Sequence, residues 1–597
     1  IRDRLRSRGL GDVYKRQCGR NFEYLSEDPY LAGRMASAYI RGVQSQGVGT
    51  SIKHFALNNQ ETLRMTISSE VSERALREIY LPAFEEAVKE SAPRTVMCSY
   101  NKINGEYASE NRYLLTDILR KEWGYKGCVV SDWGAVNNRV KGLQAGLDLE
   151  MPYSGGYNDR QIVKAVQEGR LDEAVLDEAV ERVLNVVFAG EEQHRPEVIS
   201  DKETDHKKAA DIETECAVLL ENNGILPLNT DRKVAYIGEF AEKPRYQGGG
   251  SSHINPFRVV SALDAAGEKG RSVTYAKGFS MENYAMTEQE LEKALRTAAE
   301  ADVAVIFAGL PEIFESEGYD RTSMKLPQCQ DRLIEEVLKV QPNVVVVLHN
   351  GSPVELPWAD RVSAILEMYL GGQGVGEACD RLLYGEANPS GRLAETFPYR
   401  LEDNPSYLHF PGNGKRVLYG EDIFVGYRYY DTKKVPVRYA FGHGLSYTEF
   451  AYGDLNLSSA QMTDEDILTV SLKVKNTGQT EGKEVVQLYV ADLCGTPERA
   501  VKELKGFAKV HLLPGEEKTV SMEISARDLS YYEERLGDWY APSGTYRILI
   551  GHASDDIRLH ADIVFETKKK LPLRVDFTTT FGELLDHTKT APVITEL

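Results

Sequence analysis

Short apolar runs alternate with amphipathic helical stretches between residues 18 and 188, and this alternation restricts the fold more than any other feature. The predicted strands are residues 47–52, 95–99, 127–131 and 147–150. Predicted helices, such as residues 68–89 and 114–123, lie between them. Strands separated by helices in this way form parallel β/α units.

Each predicted strand ends in, or is followed by, polar or aromatic residues. These are Lys53 and His54, Tyr100 and Asn101, Asp132 and Trp133, and Asp148 and Glu150. In a (β/α)8 barrel the active site collects at the carboxyl ends of the strands, so the sequence predicts a barrel catalytic domain over residues 18–190. A complete barrel takes about 250 residues. We therefore expect an incomplete barrel that lacks its first strands.

The segment 127–134, Gly-Cys-Val-Val-Ser-Asp-Trp-Gly, places a carboxylate directly after a strand with an uninterrupted apolar run. Burial of a carboxylate in that position costs free energy unless the carboxylate has a binding partner or a chemical role. From these residues alone two interpretations stay open. Asp132 caps the next helix, or it takes part in chemistry.

The chain on either side of the barrel region divides into further parts. Residues 1–17 carry five Arg and one Lys against two Asp, without apolar periodicity, and we expect a non-native leader there. Residues 191–212 are polar and predict a linker. The next apolar runs are residues 233–238, 302–308, 343–348 and 364–369, with a helix at 328–340. They predict an α/β sandwich domain over residues 213–399, built on a doubly wound sheet.

The C-terminal part has a different pattern. Residues 400–455 are rich in Tyr, Gly and Pro, and we expect an ordered connector. Apolar and polar residues then alternate at a period of two in residues 467–474, 484–491, 516–524 and 544–551. This alternation predicts a β-sandwich of the immunoglobulin or fibronectin type III kind over residues 456–566, followed by a tail at 567–597.

Charge and composition exclude several kinds of partner. The chain has 597 residues, a formal charge of -20 and a pI near 5.2, which argue against binding to nucleic acid or to an anionic membrane. No apolar run reaches the roughly 18 residues that a membrane span needs. Seven scattered cysteines, mostly in apolar runs, favour a reducing, cytoplasmic compartment over a disulfide framework. The oligomeric state stays open.

The motifs imply no metal and no other cofactor. The sequence contains no HExxH, CxxC or EF-hand spacing. Residues 248–252, Gly-Gly-Gly-Ser-Ser, lack the spacing of a phosphate-binding loop. We expect them to form a close-packed loop.

Residues 309–321 carry three Glu, one Asp and one Arg after a predicted strand. A loop of this composition is usually a solvated surface. Alternatively, it supplies the second of the two carboxyl groups that glycoside hydrolysis requires, with Asp132 as the first. The loop is predicted to lie at a domain boundary, where ligand clefts form.

Several longer sequence segments carry recognisable motifs, and they occur in one order along the chain. In the barrel region they are GRNFEYLSEDP (19–29), QSQGVGTSIKHFALNNQE (44–61), SERALREIYLPAFE (72–85), VMCSYNKINGEYAS (96–109), SDWGA (131–135) and AGLDLEMP (145–152). Later ones are LLENNGILPL (219–228), GGGSS (248–252), ESEGYDR (315–321), NPSGRLAETFP (388–398) and FGHGLSYTEF (441–450). Together they resemble glycoside hydrolase family 3, the β-glucosidase type, from Cys18 to about residue 565.

The resemblance implies two catalytic carboxyl groups. Asp132 matches the family's nucleophile, which forms a covalent glycosyl-enzyme intermediate, and Glu317 matches its acid/base. Glu315 is the alternative for the second role. Retention of configuration requires carboxyl groups about 5 to 5.5 Å apart, one ionised and one protonated at rest.

The resemblance also implies sugar-binding residues. The positions that match contacts to sugar hydroxyls are Arg20, Lys53, His54 and Arg64. Tyr100 matches a tyrosine near the nucleophile, and Trp133 either gives the sugar an apolar wall or is a core aromatic. We expect Asp148 and Glu150 to orient these sugar-binding side chains without contacting the sugar themselves.

These expectations predict a retaining exo-β-glycosidase that hydrolyses terminal non-reducing β-D-glucosyl residues of oligosaccharides or aryl glucosides. A β-xylosidase or α-arabinosidase of the same family is the alternative, because the motifs do not fix the sugar. The family's β-N-acetylglucosaminidase branch fits less well, because it uses a His-Asp pair where this chain has Glu317. The family's aspartate in the opening part of the barrel has no match here, so an inactive carbohydrate-binding fragment is a further alternative.

Overall fold

The computed structural model describes residues 17–195, 197–495, 498–572, 575–576, 578–586 and 589–596. The predicted leader therefore lies outside the described residues, apart from Gln17. Three large hydrophobic cores form, one in the barrel region, one in the second α/β region and one in the C-terminal β region.

The sheet of the barrel region has three parallel strands. In spatial order they are Ser51–Phe55, Thr95–Cys98 and Cys128–Ser131. Val96 and Val129 are fully buried, as expected where helices cover a parallel sheet. A single bridge joins Val130 to Leu149, at the fourth predicted strand. Among the described residues of this region, these strands form an open sheet, and its strand order and parallel pairing are those of the predicted β/α units.

Helices cover this sheet. They are Pro29–Gln44, Glu73–Ala75, Pro82–Ser91, Arg139–Ala145, Tyr157–Gln167 and Glu173–Glu192, with π-helical segments at Leu76–Tyr80 and Tyr113–Glu122. The prediction of one helix over residues 68–89 is wrong at its start. Ser68–Glu70 is a strand, because it pairs in parallel with Arg416–Leu418 of the connector. Helical structure begins only after Ser72, whose side chain accepts a hydrogen bond from Ala75 N.

The second region is a doubly wound α/β domain with a six-stranded sheet, as predicted. The strands in spatial order are Val218–Asn222, Ala364–Glu367, Val344–His349, Val303–Gly309, Val234–Ile237 and Val273–Ala276. All neighbours are parallel except the edge strand Val218–Asn222, which is antiparallel. The helices are Lys202–Cys216, Ala262–Glu268, Glu288–Ala299, Gln328–Val337 and Val375–Leu383. The first of these begins inside the predicted linker, where Asp201 caps it.

The C-terminal region is the predicted β-sandwich. One sheet contains Phe450–Leu457, Leu468–Asn476 and Glu517–Ile524. The other contains Gln461–Thr463, Asp556–Glu566, Gly544–Ala553, Gly482–Asp492 and Glu503–Leu512. Short elements beside them are Ala526–Leu529 and the paired strands Tyr531–Glu533 and Asp538–Tyr540, and the tail forms Phe581–Asp586 and Ala591–Thr595.

The connector fixes the barrel region against the second domain. Besides Arg416–Leu418 it contains the helix Tyr427–Lys433, and Val437–Tyr439 pairs with Phe397–Pro398. The buried carboxylate of Glu27, from the barrel region, accepts hydrogen bonds from Thr396 N and Tyr427 N, each at 2.8 Å. Hydrogen bonds to a buried carboxylate are strong, so these contacts hold the domain boundary in place. No helix in the described residues has the length and apolar character needed to cross a membrane.

Candidate active site

Asp132 follows the strand Cys128–Ser131 and is only 8% exposed. Its Oδ1 accepts a hydrogen bond of 2.7 Å from Trp133 N, and its Oδ2 lies 3.5 Å from His54 Nε2. Burial first and then the negative charge of Asp132 raise the pKa of Tyr100. The predicted nucleophile, His54 and Tyr100 therefore lie together at the carboxyl end of the barrel sheet.

Lys53 and His54 come from the neighbouring strand, Ser51–Phe55. They lie inside this strand rather than after it, because the strand begins and ends later than the sequence predicts. Burial lowers the pKa of His54 well below its usual value, and the charge of Lys53 lowers it further, so His54 is neutral. A neutral imidazole and an ammonium group are both able to donate hydrogen bonds to sugar hydroxyls.

Arg20 and Arg64 approach the site from two loops of the barrel region. Arg20 Nη1 lies 3.3 Å from Glu317 Oε1, and Arg64 Nη1 donates to the same oxygen at 2.9 Å. The guanidinium of Arg64 also lies 4.9 Å from the ring centroid of Tyr100. One cation therefore contacts both the ring beside the predicted nucleophile and the predicted acid/base.

Glu317 comes from the second domain, on the loop after the strand Val303–Gly309. Its Oε2 accepts a hydrogen bond of 2.7 Å from Ser251 N. Burial acts to raise the pKa of Glu317, but the charge of Arg20 and the contacts with Ser251 and Arg64 outweigh burial and lower that pKa to about 2. Without a ligand, Glu317 is therefore ionised.

The loop 248–252 packs directly against this carboxyl group. Gly250 has a φ of +80°, and a Cβ atom there would lie 2.4 Å from Glu317 Cβ. A Cβ on Gly249 would lie 2.3 Å from Ser316 Oγ. Only glycine fits so close an approach, as expected for a close-packed loop.

The predicted residues of both domains meet in one network. The charges of Asp132 and Glu317 both act on the pKa of Tyr100. The same two charges act on the pKa of Lys53, which burial lowers. Trp133 is 58% exposed, so it is not a core aromatic. All eight predicted site residues thus lie around a common region between the barrel sheet and the loop that carries Glu317.

Models of known families match three parts of the chain. The glycosyl hydrolase family 3 N-terminal domain matches residues 12–186, the glycosyl hydrolase family 3 C-terminal domain matches residues 217–447, and a fibronectin type III-like domain matches residues 484–554. The protein belongs to glycosyl hydrolase family 3. The predicted family, fold class and enzyme class, a glycoside hydrolase, are confirmed.

Relatives of this family 3 protein carry the names of two different activities. Thermostable beta-glucosidase B of Acetivibrio thermocellus is 52% identical over 592 residues, which cover 98% of this chain and 78% of the relative. Exo-alpha-(1->6)-L-arabinopyranosidase of Bifidobacterium breve is 44% identical over 581 residues, covering 95% of this chain and 75% of the relative.

Solved structures of family 3 members are similar over nearly the whole chain. The β-glucosidase of Bifidobacterium adolescentis superposes with a TM-score of 0.94 at 43% identity, covering 98% of this chain and 86% of that one. β-glucosidase 3B of Thermotoga neapolitana, solved in complex with glucose, gives a TM-score of 0.86 at 39% identity, covering 94% of this chain and 83% of that one.

In this family 3 chain, Glu315 is fully buried and its carboxylate is occupied elsewhere. It accepts hydrogen bonds from Arg245 Nη1 at 2.6 Å, from Gly351 N at 2.9 Å and from the Ser352 hydroxyl. Its carboxylate holds the loop to the second domain, whereas Glu317 turns toward the barrel region. Glu315 is therefore not part of the solvated surface that the composition of the loop alone favours, whereas Glu312 in the same loop is exposed.

The contacts of Asp148 and Glu150 differ from those expected. Asp148 accepts hydrogen bonds from Arg120 Nη2 at 2.7 Å and from Val129 N at 2.8 Å, and Glu150 accepts one from Asn158. Asp148 thus fixes the barrel framework. The contacts that were expected of Asp148, to the predicted sugar-binding groups, are made by Glu23. Glu23 accepts a 2.9 Å hydrogen bond from the guanidinium of Arg20, and its Oε2 lies 3.6 Å from Lys53 Nζ.

Sequence reasoning missed four residues of the site: Glu23, Tyr24, Glu61 and Asp320. Tyr24 OH lies 3.4 Å from His54 Nδ1. The only signal for any of them is position, since each falls inside one of the segments that carry the family resemblance. Among the described residues, no group of three or more His, Cys, Asp or Glu side chains is placed to hold a metal ion.

Proposed function

We propose that the protein is a retaining exo-β-glucosidase that removes terminal non-reducing β-D-glucosyl units through a covalent glycosyl-enzyme intermediate. One observation carries this proposal: carboxyl groups from two domains, Asp132 and Glu317, lie in one network bridged by Tyr100 and Arg64. Two carboxyl groups that flank one site are what glycoside hydrolysis needs. The β-glucosidases among the relatives and solved structures support the choice of sugar.

In this proposal Asp132 attacks the anomeric carbon. The Trp133 N–H and the positive charge of Lys53 stabilise the carboxylate that attacks. The exposed ring of Trp133 forms an apolar wall for the sugar, and Lys53, His54 and Arg20 bind its hydroxyls.

Glu317 protonates the leaving oxygen and later takes a proton from the attacking water. A carboxyl group with a pKa of about 2 is a poor proton donor near neutral pH. Arg20 and Arg64, which lower that pKa, are also the proposed sugar ligands. A bound sugar draws their hydrogen bonds away and excludes water, so burial dominates and the pKa of Glu317 rises. Glu317 takes up a proton from solvent as the sugar binds, and it gives this proton to the leaving oxygen in the first step.

A second candidate is α-L-arabinopyranosidase activity, which is favoured by the 44% identical arabinopyranosidase. β-D-Glucopyranose and α-L-arabinopyranose differ in the hydroxymethyl group on C5 and in the orientation of the hydroxyl group on C4, so the contacts made at these two positions decide between them. The greater identity to β-glucosidase B places this candidate second.

Hydrolysis of a panel of 4-nitrophenyl glycosides tests the proposal. We expect the highest kcat/KM on the β-D-glucopyranoside, with lower values on the β-D-xylopyranoside and the α-L-arabinopyranoside, and loss of turnover in Asp132→Ala. A preference for the arabinopyranoside would support the second candidate. Absence of turnover on every glycoside would indicate a carbohydrate-binding fragment.

We also propose a reducing, cytoplasmic compartment. None of the seven cysteines, all of which the structure describes, forms a disulfide. Their burial at Cys18, Cys98, Cys128 and Cys379 fits small core residues. Fractionation of the producing cells tests this proposal, and recovery of the protein outside the cytoplasm would contradict it.

A further inference from the structure

Glu61 of the barrel region touches the backbone beside the proposed acid/base. Its Oε2 accepts a hydrogen bond of 2.8 Å from Gly318 N, and Gly318 directly follows Glu317. Gly318 has a φ of +104°, a conformation that favours glycine. The side chain of Glu61 is fully buried. Burial of a carboxylate costs free energy unless hydrogen bonds compensate for the lost hydration.

The second domain makes the reverse contact through Asp320. Asp320 Oδ1 accepts from Glu61 N at 2.8 Å. Asp320 Oδ2 accepts from Thr62 N at 2.8 Å and from Thr62 Oγ1 at 2.6 Å. Each loop therefore presents one carboxylate to the backbone N–H groups of the other loop.

Arg64 adds a third connection between the same loops. Its Nη1 lies 2.8 Å from Glu61 Oε2 and 2.9 Å from Glu317 Oε1. Glu61 therefore contacts both the backbone next to Glu317 and the cation that binds the Glu317 side chain. A shift of Glu61 would move the carboxyl group of Glu317 through both contacts.

We propose that Glu61 and Asp320 form a reciprocal clasp that holds Glu317 at the distance from Asp132 that catalysis requires. Glu61 is a positioning residue in this arrangement, because it acts through Gly318 and Arg64. The inference rests on the proposed function, since it assigns Glu317 as the acid/base. Misplacement of a catalytic group by about 1 Å lowers a rate by about 10²-fold, so a clasp across a domain boundary has a large effect on the reaction.

Hydrogen exchange measured by mass spectrometry tests the clasp without reference to activity. In Glu61→Ala we expect faster exchange in residues 315–321, and in Asp320→Asn faster exchange in residues 59–64. The matched control is Glu86→Ala, which removes another barrel carboxylate paired with an arginine, Arg34, at 3.1 Å. The control should leave both segments unchanged. Unchanged exchange in 315–321 in Glu61→Ala would overturn the clasp, even if the protein hydrolyses no glycoside.

The kinetic test compares two leaving groups. A 2,4-dinitrophenolate leaves without protonation, whereas phenolate needs the acid. We expect Glu61→Ala to lower kcat/KM about 10²-fold on phenyl β-glucoside and only a few-fold on the dinitrophenyl glucoside. Glu61→Gln keeps an acceptor for Gly318 N and should retain most of the activity on both. An equal loss on both substrates in Glu61→Ala would overturn the positioning role, whereas a wild type inactive on both would count against the proposed function alone.

Discussion

Arg64 Nη1 lies 2.9 Å from Glu317 Oε1, so a cation of the barrel region pairs with a carboxylate of the second α/β domain. The same guanidinium lies 4.9 Å from the ring centroid of Tyr100. The pKa of Tyr100 is raised by burial and by the charge of Asp132. The proposed nucleophile and acid/base are therefore connected through two intervening side chains. The active site depends on how the two domains are held together.

The loop at 248–252 sets the position of Glu317 from the other side. We expect Gly250→Ala to lower kcat/KM by about 10²-fold, because its Cβ would lie 2.4 Å from Glu317 Cβ in a backbone with φ of +80°. Gly267→Ala is the matched control, since no atom lies within 4 Å of its added Cβ and alanine suits the helix Ala262–Glu268. Steady-state kinetics on an aryl β-glucoside measures both variants. Equal activity in the two would contradict the proposed packing.

Arg64 is one of the groups that keep Glu317 ionised. Burial acts to raise the pKa of Glu317, and Arg20, Ser251 and Arg64 together lower it to about 2. We expect Arg64→Met to raise that pKa, so the limb of the kcat/KM pH profile that reports Glu317 in the free enzyme moves to higher pH. A profile displaced in height but not along the pH axis would show that Arg64 only binds sugar.

Glu61 should make stability depend on pH. Burial raises the pKa of Glu61 from 4.5 to about 7, although Arg64 and the Gly318 N–H act to lower it. Between these pH values the folded protein keeps a proton that the unfolded chain loses, so the contribution of Glu61 to the free energy of unfolding falls as pH rises. The free energy of unfolding of Glu61→Gln, taken relative to that of the wild type, should therefore increase from pH 4.5 to 7 by up to about 3 kcal/mol and then stay constant. Denaturant unfolding at several pH values measures this difference, and a constant difference would contradict the prediction.

We expect Trp133 to contribute to sugar binding and little to folding. The residue is 58% exposed, so Trp133→Ala should leave the unfolding temperature nearly unchanged. Loss of an apolar contact of about 1.5 kcal/mol should lower kcat/KM roughly tenfold. Phe188→Ala is the control, because Phe188 is also 58% exposed and lies on the helix Glu173–Glu192. Equal kinetics in both variants would remove Trp133 from the site.

Local sequence patterns drew attention to residues of the candidate site that follow strands. An apolar run that ends in a carboxylate made Asp132 a candidate, but this pattern left helix capping open, and the role of nucleophile was implied only by the resemblance to glycoside hydrolase family 3. The three-part fold could be predicted because each part has its own hydrophobic periodicity. Both features depend on neighbours in sequence.

Contacts between distant parts of the chain were not predictable in this way. Glu61 and Gly318 are 257 positions apart, and no local pattern shows that they meet. Ser68–Glu70 has the appearance of a helix start, and it becomes a strand only because Arg416–Leu418 lies beside it. Burial of Glu315 likewise depends on Arg245, whose position follows from the fold of the second domain.

Trapping of the glycosyl-enzyme tests the central claim most directly. 2,4-Dinitrophenyl 2-deoxy-2-fluoro-β-glucoside forms the intermediate quickly and hydrolyses slowly, because the fluorine destabilises both transition states and the leaving group speeds the first. Proteolysis and mass spectrometry then locate the added sugar. We expect one fluoroglucosyl group on Asp132, with the label retained longer in Glu317→Ala. A label on Glu317 or another residue, or an unlabelled protein that still hydrolyses the parent glucoside, would contradict the assignment of Asp132 as nucleophile.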